Sequence, residues 1–161
     1  MSPLRTVVVA LFCLLGASLF AAPEYARMGP DIFDPKVKGE ALIDQATARA
    51  KLEDKRILLL FGTNWCPWCR RLHDIIGADP RVAARLRQHF VVVYIDANTR
   101  NDKARNRSVI ERYGNPVRHG IPVFVVLDAE GTLLTTRETS TLSDVTDEGV
   151  AEKLLAFLDK W

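Results

Sequence analysis

The sequence predicts an α/β fold: a mixed central sheet with helices on both faces and a C-terminal β-hairpin followed by one helix. Three observations predict it. Short apolar runs at Ile57–Phe61, Phe90–Ile95 and Val123–Leu127 alternate with segments of helical period, as do strands buried on both faces between covering helices. Asp128-Ala129-Glu130-Gly131 is a turn signal between Val123–Leu127 and the β-branched run Thr132–Thr136, which joins the two as a hairpin. The chain has 161 residues, 48% apolar and 26% charged. That is enough for one domain with its own core and too few for two sizeable ones.

Residues 1–21 have the layout of a secretory signal. Arg5 is the only charge, Val7–Leu15 is apolar, and small residues lead to Ala21. The apolar run is shorter than the roughly 20 residues of a spanning helix, so a cleaved signal is favoured over an uncleaved anchor. Both readings put the domain outside the cytoplasm. Cys13 falls within this segment and leaves with it, so the remaining chain carries Cys66 and Cys69 alone. Residues 22–38, with Pro23, Gly29, Pro30 and Pro35, read as an irregular leader.

The domain then begins, over residues 39–161. Leu42, Ile43, Ala46 and Ala50 give Glu40–Glu53 a helical period. After the first strand comes a loop, Gly62-Thr63-Asn64-Trp65, and a helix from Cys66 to Ile76 that stops at Gly77. Asp79 and Pro80 are an N-cap and a first-turn proline for a helix to about Gln88. Phe90–Ile95 is the second strand. Asn101–Tyr113 is polar but compatible with a helix, and Gly114-Asn115-Pro116 ends it. In the tail Thr146 is an N-cap, and Val150, Leu154, Phe157, Leu158 and Trp161 make one apolar stripe.

Composition excludes several functions. The net charge of +2 does not support binding to a phosphate backbone over a whole surface. The basic stretch Arg100, Lys103, Arg105, Arg107, Arg112 and Arg118 is interleaved with Asp102 and Glu111 and reads as a solvated face, so no nucleic-acid partner is expected. Three cysteines do not make a disulfide scaffold.

The chemistry is in Trp65-Cys66-Pro67-Trp68-Cys69. A Cys-x-x-Cys that follows a buried strand and opens a helix is a redox motif. The thiolate is the reactive species, and a helix N-terminus stabilises negative charge. Cys66 at the helix start is the expected nucleophile. Cys69, one turn on, is within reach of a disulfide back to it. Arg70, and more weakly Arg71, are candidates for lowering the Cys66 pKa. A metal half-site from Cys66, Cys69 and His73, with His89 or His119 as a fourth ligand, lacks the second pair that closed zinc sites use. No metal and no cofactor is therefore expected. Arg70 stands where covalent haem attachment needs His. His73 reads as a helix residue, with thiol tuning as its alternative, and His119 is a candidate contact with a substrate.

At these residues the chain resembles the thioredoxin superfamily. The resemblance rests on Leu60-Phe61-Gly62-Thr63-Asn64-Trp65-Cys66-Pro67-Trp68-Cys69, on Asp79-Pro80-Arg81-Val82, on Tyr94-Ile95-Asp96 and on Gly120-Ile121-Pro122-Val123-Phe124. It covers roughly Ile57 to Trp161 and is nearest to periplasmic thioredoxin-like domains, including the C-terminal domain of the membrane thiol:disulfide interchange reductase. It implies a thioredoxin fold, with Cys66 and Cys69 catalytic and Pro122 as a cis-proline in a substrate-binding loop. Ile121, Trp65, Pro67 and Trp68 would line the substrate surface, Trp65 half in the core and Trp68 facing solvent. The implied partners are client proteins with disulfides or thiols and a membrane protein as electron donor; a monomer is expected.

The chain departs from thioredoxin where that protein has a buried Asp beside its second cysteine and a Lys on the next strand. Here those positions are Leu60 and, by approximate placement, Val92. Pro67-Trp68 also replaces thioredoxin's Gly-Pro. The reading favoured is an exported thiol:disulfide oxidoreductase acting as a reductase. The alternatives are an oxidase or isomerase, and a binding or assembly factor on the same scaffold.

Overall fold

The structure, a computed structural model, describes residues 28–100 and 104–161. The signal read in residues 1–21 lies outside them, as do the first residues of the leader. Helix α1 (Gly39–Glu53) leads into β1 (Arg56–Gly62), α2 (Pro67–Ala78) and α3 (Pro80–His89). Then follow β2 (Phe90–Asp96), the short α4 (Arg107–Arg112), a 3₁₀ turn at Pro116–His119 and β3 (Val123–Leu127). The chain closes with β4 (Leu133–Glu138), a second 3₁₀ turn at Ser140–Leu142 and α5 (Asp147–Leu158). The sheet order is β2-β1-β3-β4, with β1 parallel to β2 and antiparallel to β3, and β3 antiparallel to β4. This is the mixed sheet of the thioredoxin fold.

Strand side chains alternate between the two faces, and the core divides accordingly. Leu58, Leu60, Phe124 and Val126 face α2, α3 and α5, meeting Leu72, Val82, Leu154 and Leu158. Ile57, Leu59, Phe61, Val93 and Val125 face α1 and α4, meeting Ile43, Ala46 and Val109. All residues of β1 after Arg56 are buried, which accounts for its unbroken apolar sequence.

Asp79 ends α2 and starts α3. Its side chain accepts from the backbone N–H of Arg81 (2.9 Å) and Val82 (3.2 Å), a cap worth about 1 kcal/mol, and Pro80 occupies the first turn. Thr146 caps α5 by accepting from Gly149 N–H at 3.0 Å.

The helix expected over Asn101–Tyr113 is shorter than the sequence suggests. Asn106 adopts a left-handed conformation (φ 52°), so α4 begins only at Arg107. The Asn106 side chain instead ties two segments together: it accepts from Gly39 N–H at 2.8 Å and donates to the Asp96 carbonyl at 2.8 Å. The hairpin's second strand is displaced to Leu133–Glu138, with an irregularity opposite Val126 and Leu127. Asp128 holds the intervening turn by accepting from Glu130 and Thr132 N–H.

The described part of the leader contains no strand, yet it is packed. Phe33 is fully buried against the site-side core, and its ring meets Tyr94 edge to face at 5.7 Å. The buried Asn64 side chain accepts from Ile32 and Phe33 N–H (2.8 and 2.9 Å) and donates to the Phe33 carbonyl (2.8 Å). Arg105 donates to the Pro35 carbonyl.

Candidate active site

The C-terminal end of β1 and the first turn of α2 set the dithiol. Cys66 is the N-cap of α2, with extended backbone, and Pro67 follows at N1. Its sulfur therefore stands where free helix N–H groups converge. The Cys69 N–H donates to Cys66 Sγ at 3.2 Å. Both cysteines are free thiols. Cys66 is 6% exposed and Cys69 not at all, so only the first is open to attack from outside.

The two thiols are pushed apart electrostatically. The Cys69 thiol donates to the Cys66 sulfur and, with the N–H groups of Cys69 and Trp68, lowers the Cys66 pKa to about 7 against the opposing effect of burial. The same bond and burial push the Cys69 thiol up. Near neutral pH the Cys66 sulfur is therefore the one inclined to ionise, and Cys69 stays protonated.

Arg70 takes a different part from that expected. Its guanidinium donates to the carbonyls of Asn64 (2.7 Å) and Pro30 (2.9 Å), so it joins the leader to the loop ahead of Cys66. Arg71 pairs with Asp147 at 2.8 Å and lies 5.4 Å over the Trp68 ring.

The floor of the site is apolar. Gly62 ends β1, and a Cβ there would sit 2.9 Å from Cys69 Sγ and closer still to the Phe33 ring. Only glycine lets the leader phenylalanine close beneath the second cysteine. Leu60 is fully buried in the same cluster, so an aliphatic side chain stands at the position where thioredoxin has its carboxylate.

The loop ahead of β3 forms the facing wall. The Ile121–Pro122 peptide is cis, and the Ile121 carbonyl is 3.9 Å from Cys66 Sγ. Gly120, at φ 88°, gives the backbone the left-handed conformation the turn needs. Pro122 is buried, Ile121 half-buried and Pro67 exposed.

Trp65 and Trp68 are both half-buried. The Trp65 indole donates to Asn98 Oδ1 at 3.0 Å, and Arg100 stacks 3.6 Å over its ring. Trp68, expected to face solvent, is instead held by its indole N–H, which donates to Thr139 Oγ1 at 3.1 Å. His73 shares a hydrogen bond with the Tyr94 hydroxyl (3.2 Å). His119 is exposed beside Arg118.

The structure therefore gathers Cys66, Cys69, Trp65, Pro67, Trp68, Ile121 and Pro122 at one end of the sheet. Sequence reading missed Phe33, Asn64, Asn98 and Thr139. A lone Phe in a Pro- and Gly-rich leader was the one available signal; the three polar residues carry none.

Comparison with known proteins agrees with this geometry. A thioredoxin-like domain family matches residues 43–143, and the chain belongs to that family. Nucleoredoxin of Danio rerio is 28% identical, covering 66% of this chain and 30% of that protein. The thiol:disulfide interchange protein DsbD of Ralstonia nicotianae is 28% identical, covering 60% of this chain and 15% of that protein. The chain thus spans less than a third of either relative. Among solved structures, a disulphide isomerase from Xylella fastidiosa superimposes with a TM-score of 0.68 at 29% identity, covering 78% of this chain and 95% of that one. The C-terminal domain of Neisseria meningitidis DsbD shares the fold, with a TM-score of 0.55 at 19% identity over 77% of this chain and 96% of that one. The resemblance read from the motifs, to a superfamily that includes interchange-protein domains, stands.

Proposed function

We propose that this protein is an exported thiol:disulfide oxidoreductase that reduces, or exchanges, disulfides in extracytoplasmic client proteins. One observation carries the reading: a thiolate-prone Cys66 at a helix N-terminus, backed by a protonated Cys69 and facing a cis-proline loop. The basic-apolar-small order of residues 1–21 supports export. The interchange proteins and disulphide isomerase among its relatives support the reaction class.

The Cys66 thiolate attacks one sulfur of the client disulfide. The other client sulfur leaves as a thiolate and takes up a proton, giving a mixed disulfide between Cys66 and the client. Cys69 then loses its proton and attacks Cys66 Sγ, and the second client sulfur departs. The client gains two electrons and two protons, and the protein is left with a Cys66–Cys69 disulfide. A dithiol donor, which we assign to a membrane protein, restores the reduced pair. Ile121 and Pro122 position the client chain, with Trp65, Pro67 and Trp68 as its lateral contacts. Leu60 supplies no base for Cys69, so its proton leaves to water or to the departing client sulfur.

Cys69→Ala tests this. It should accumulate client proteins bound through Cys66, visible as adducts on non-reducing gels, whereas Cys66→Ala should show none. Equal patterns from the two variants overturn the assignment.

A further inference from the structure

Thr139 lies just past the end of β4, whose last residue Glu138 pairs with Val123. The residue is 1% exposed. The Oγ1 accepts the Trp68 indole N–H at 3.1 Å and donates to the Pro122 carbonyl at 2.5 Å. An indole nitrogen only donates and a carbonyl only accepts, so a hydroxyl, with one donor and two lone pairs, suits the position between them. The hydroxyl itself is firmly placed. The β4 pairing holds it on one side. On the other, the 3₁₀ turn Ser140–Leu142 returns Leu142 N–H to the Thr139 carbonyl at 3.0 Å and buries the Leu142 side chain. The chain of bonds thereby joins the dipeptide between the two cysteines to the loop whose Ile121 carbonyl is 3.9 Å from Cys66 Sγ.

We propose that Thr139 is a positioning residue for the client-binding loop: its hydroxyl fixes the Ile121–Pro122 backbone relative to Trp68 and so sets where a peptide disulfide meets Cys66. The inference rests on the oxidoreductase reading above and adds to it a residue outside the Cys-x-x-Cys and cis-proline motifs. Thr139→Val keeps the shape but leaves the half-buried Trp68 indole N–H and the buried Pro122 carbonyl without this partner, which frees both to shift. Thr139→Ser keeps the hydroxyl and loses only a methyl group.

The test compares two disulfides. Insulin, reduced with dithiothreitol as electron source, presents a peptide backbone to the loop. Dithiobis(nitrobenzoic acid) is small and presents none. Thr139→Val should lose about tenfold in rate with insulin and no more than about twofold with the small disulfide, while Thr139→Ser keeps both. Equal losses on the two substrates, or no loss with insulin, overturn the proposal. So does a Thr139→Ser variant as slow with insulin as Thr139→Val, since packing of the methyl group would then be responsible. Should Thr139→Val not fold, Thr139→Ser and the unaltered protein decide. There the Trp68 indole N–H should be protected from solvent exchange in the NMR spectrum, and free exchange overturns the proposal. An unaltered protein that reacts with neither disulfide overturns the oxidoreductase reading, and this inference with it.

Discussion

The Cys69 backbone N–H points at the Cys66 sulfur across 3.2 Å, so Cys69 supports Cys66 with both its amide and its thiol. With those donors in place the Cys66 pKa falls to about 7, below the 8.5 or so of an ordinary cysteine. Alkylation by iodoacetamide should therefore rise with pH through a midpoint near 7 and level off while an unperturbed thiol is still gaining rate. Cys69→Ala should move the midpoint up, because it removes the thiol donor, the largest contributor. Arg70→Ala should leave it in place, since its Nε and Nη1 donate to the Asn64 and Pro30 carbonyls rather than to Cys66. The reverse pattern would restore the role that sequence spacing suggested for Arg70.

Phe33 is fully buried between Gly62, Cys69 and Tyr94. Phe33→Ala should destabilise the reduced protein by about 3–5 kcal/mol, as expected for a large core side chain lost without collapse of the cavity. Urea denaturation followed by tryptophan fluorescence measures it. A loss under about 1 kcal/mol would mean that the leader does not form the floor of the site in solution.

Asn64 makes three hydrogen bonds to leader backbone. Asn64→Ala removes all three and leaves two N–H groups and a carbonyl to find water. The amides of Ile32 and Phe33 should then exchange at least about tenfold faster, while those of β3 keep their protection. Unchanged exchange at both amides would show that Arg70 and Arg105 hold the leader without Asn64.

How far the sequence reached depends on what kind of signal each element carries. Strands β1 and β3 were legible because burial on both faces leaves an unbroken apolar run, and edge strand β2, half-buried at Val92 and Tyr94, carries an apolar run of the same kind. Asp79-Pro80 was legible because a cap needs only local chemistry. The Cys66–Cys69 pair and the loop at Pro122 were legible as motifs. Asn106 was not: its left-handed backbone, paid for by bonds to Gly39 and Asp96, cut α4 short, and no local pattern reports contacts over such a span. Asn64, Asn98 and Thr139 share that difficulty. Each looks like an ordinary loop or turn residue until a partner about 30 to 70 positions away is brought alongside it. Arg70 shows the complementary error, a correct helical spacing outcompeted by carbonyl acceptors from the leader and from the loop ahead of Cys66.

The Cys66 thiolate supports the reductase direction proposed above. A more stable thiolate stabilises the reduced form and makes the pair more oxidising. A strong periplasmic oxidant has a cysteine pKa of about 3.5 and a potential of about −120 mV, whereas thioredoxin sits near 7 and about −270 mV. A Cys66 pKa lowered only to about 7 is on the thioredoxin side of that range, so a reductase of the kind proposed should show a potential below about −230 mV. Equilibration with reduced and oxidised glutathione, followed by the fluorescence of Trp65 and Trp68, measures it. A value above about −180 mV would reverse the reaction written here: clients would give electrons to the Cys66–Cys69 disulfide, and the partner that regenerates it would have to be an oxidant.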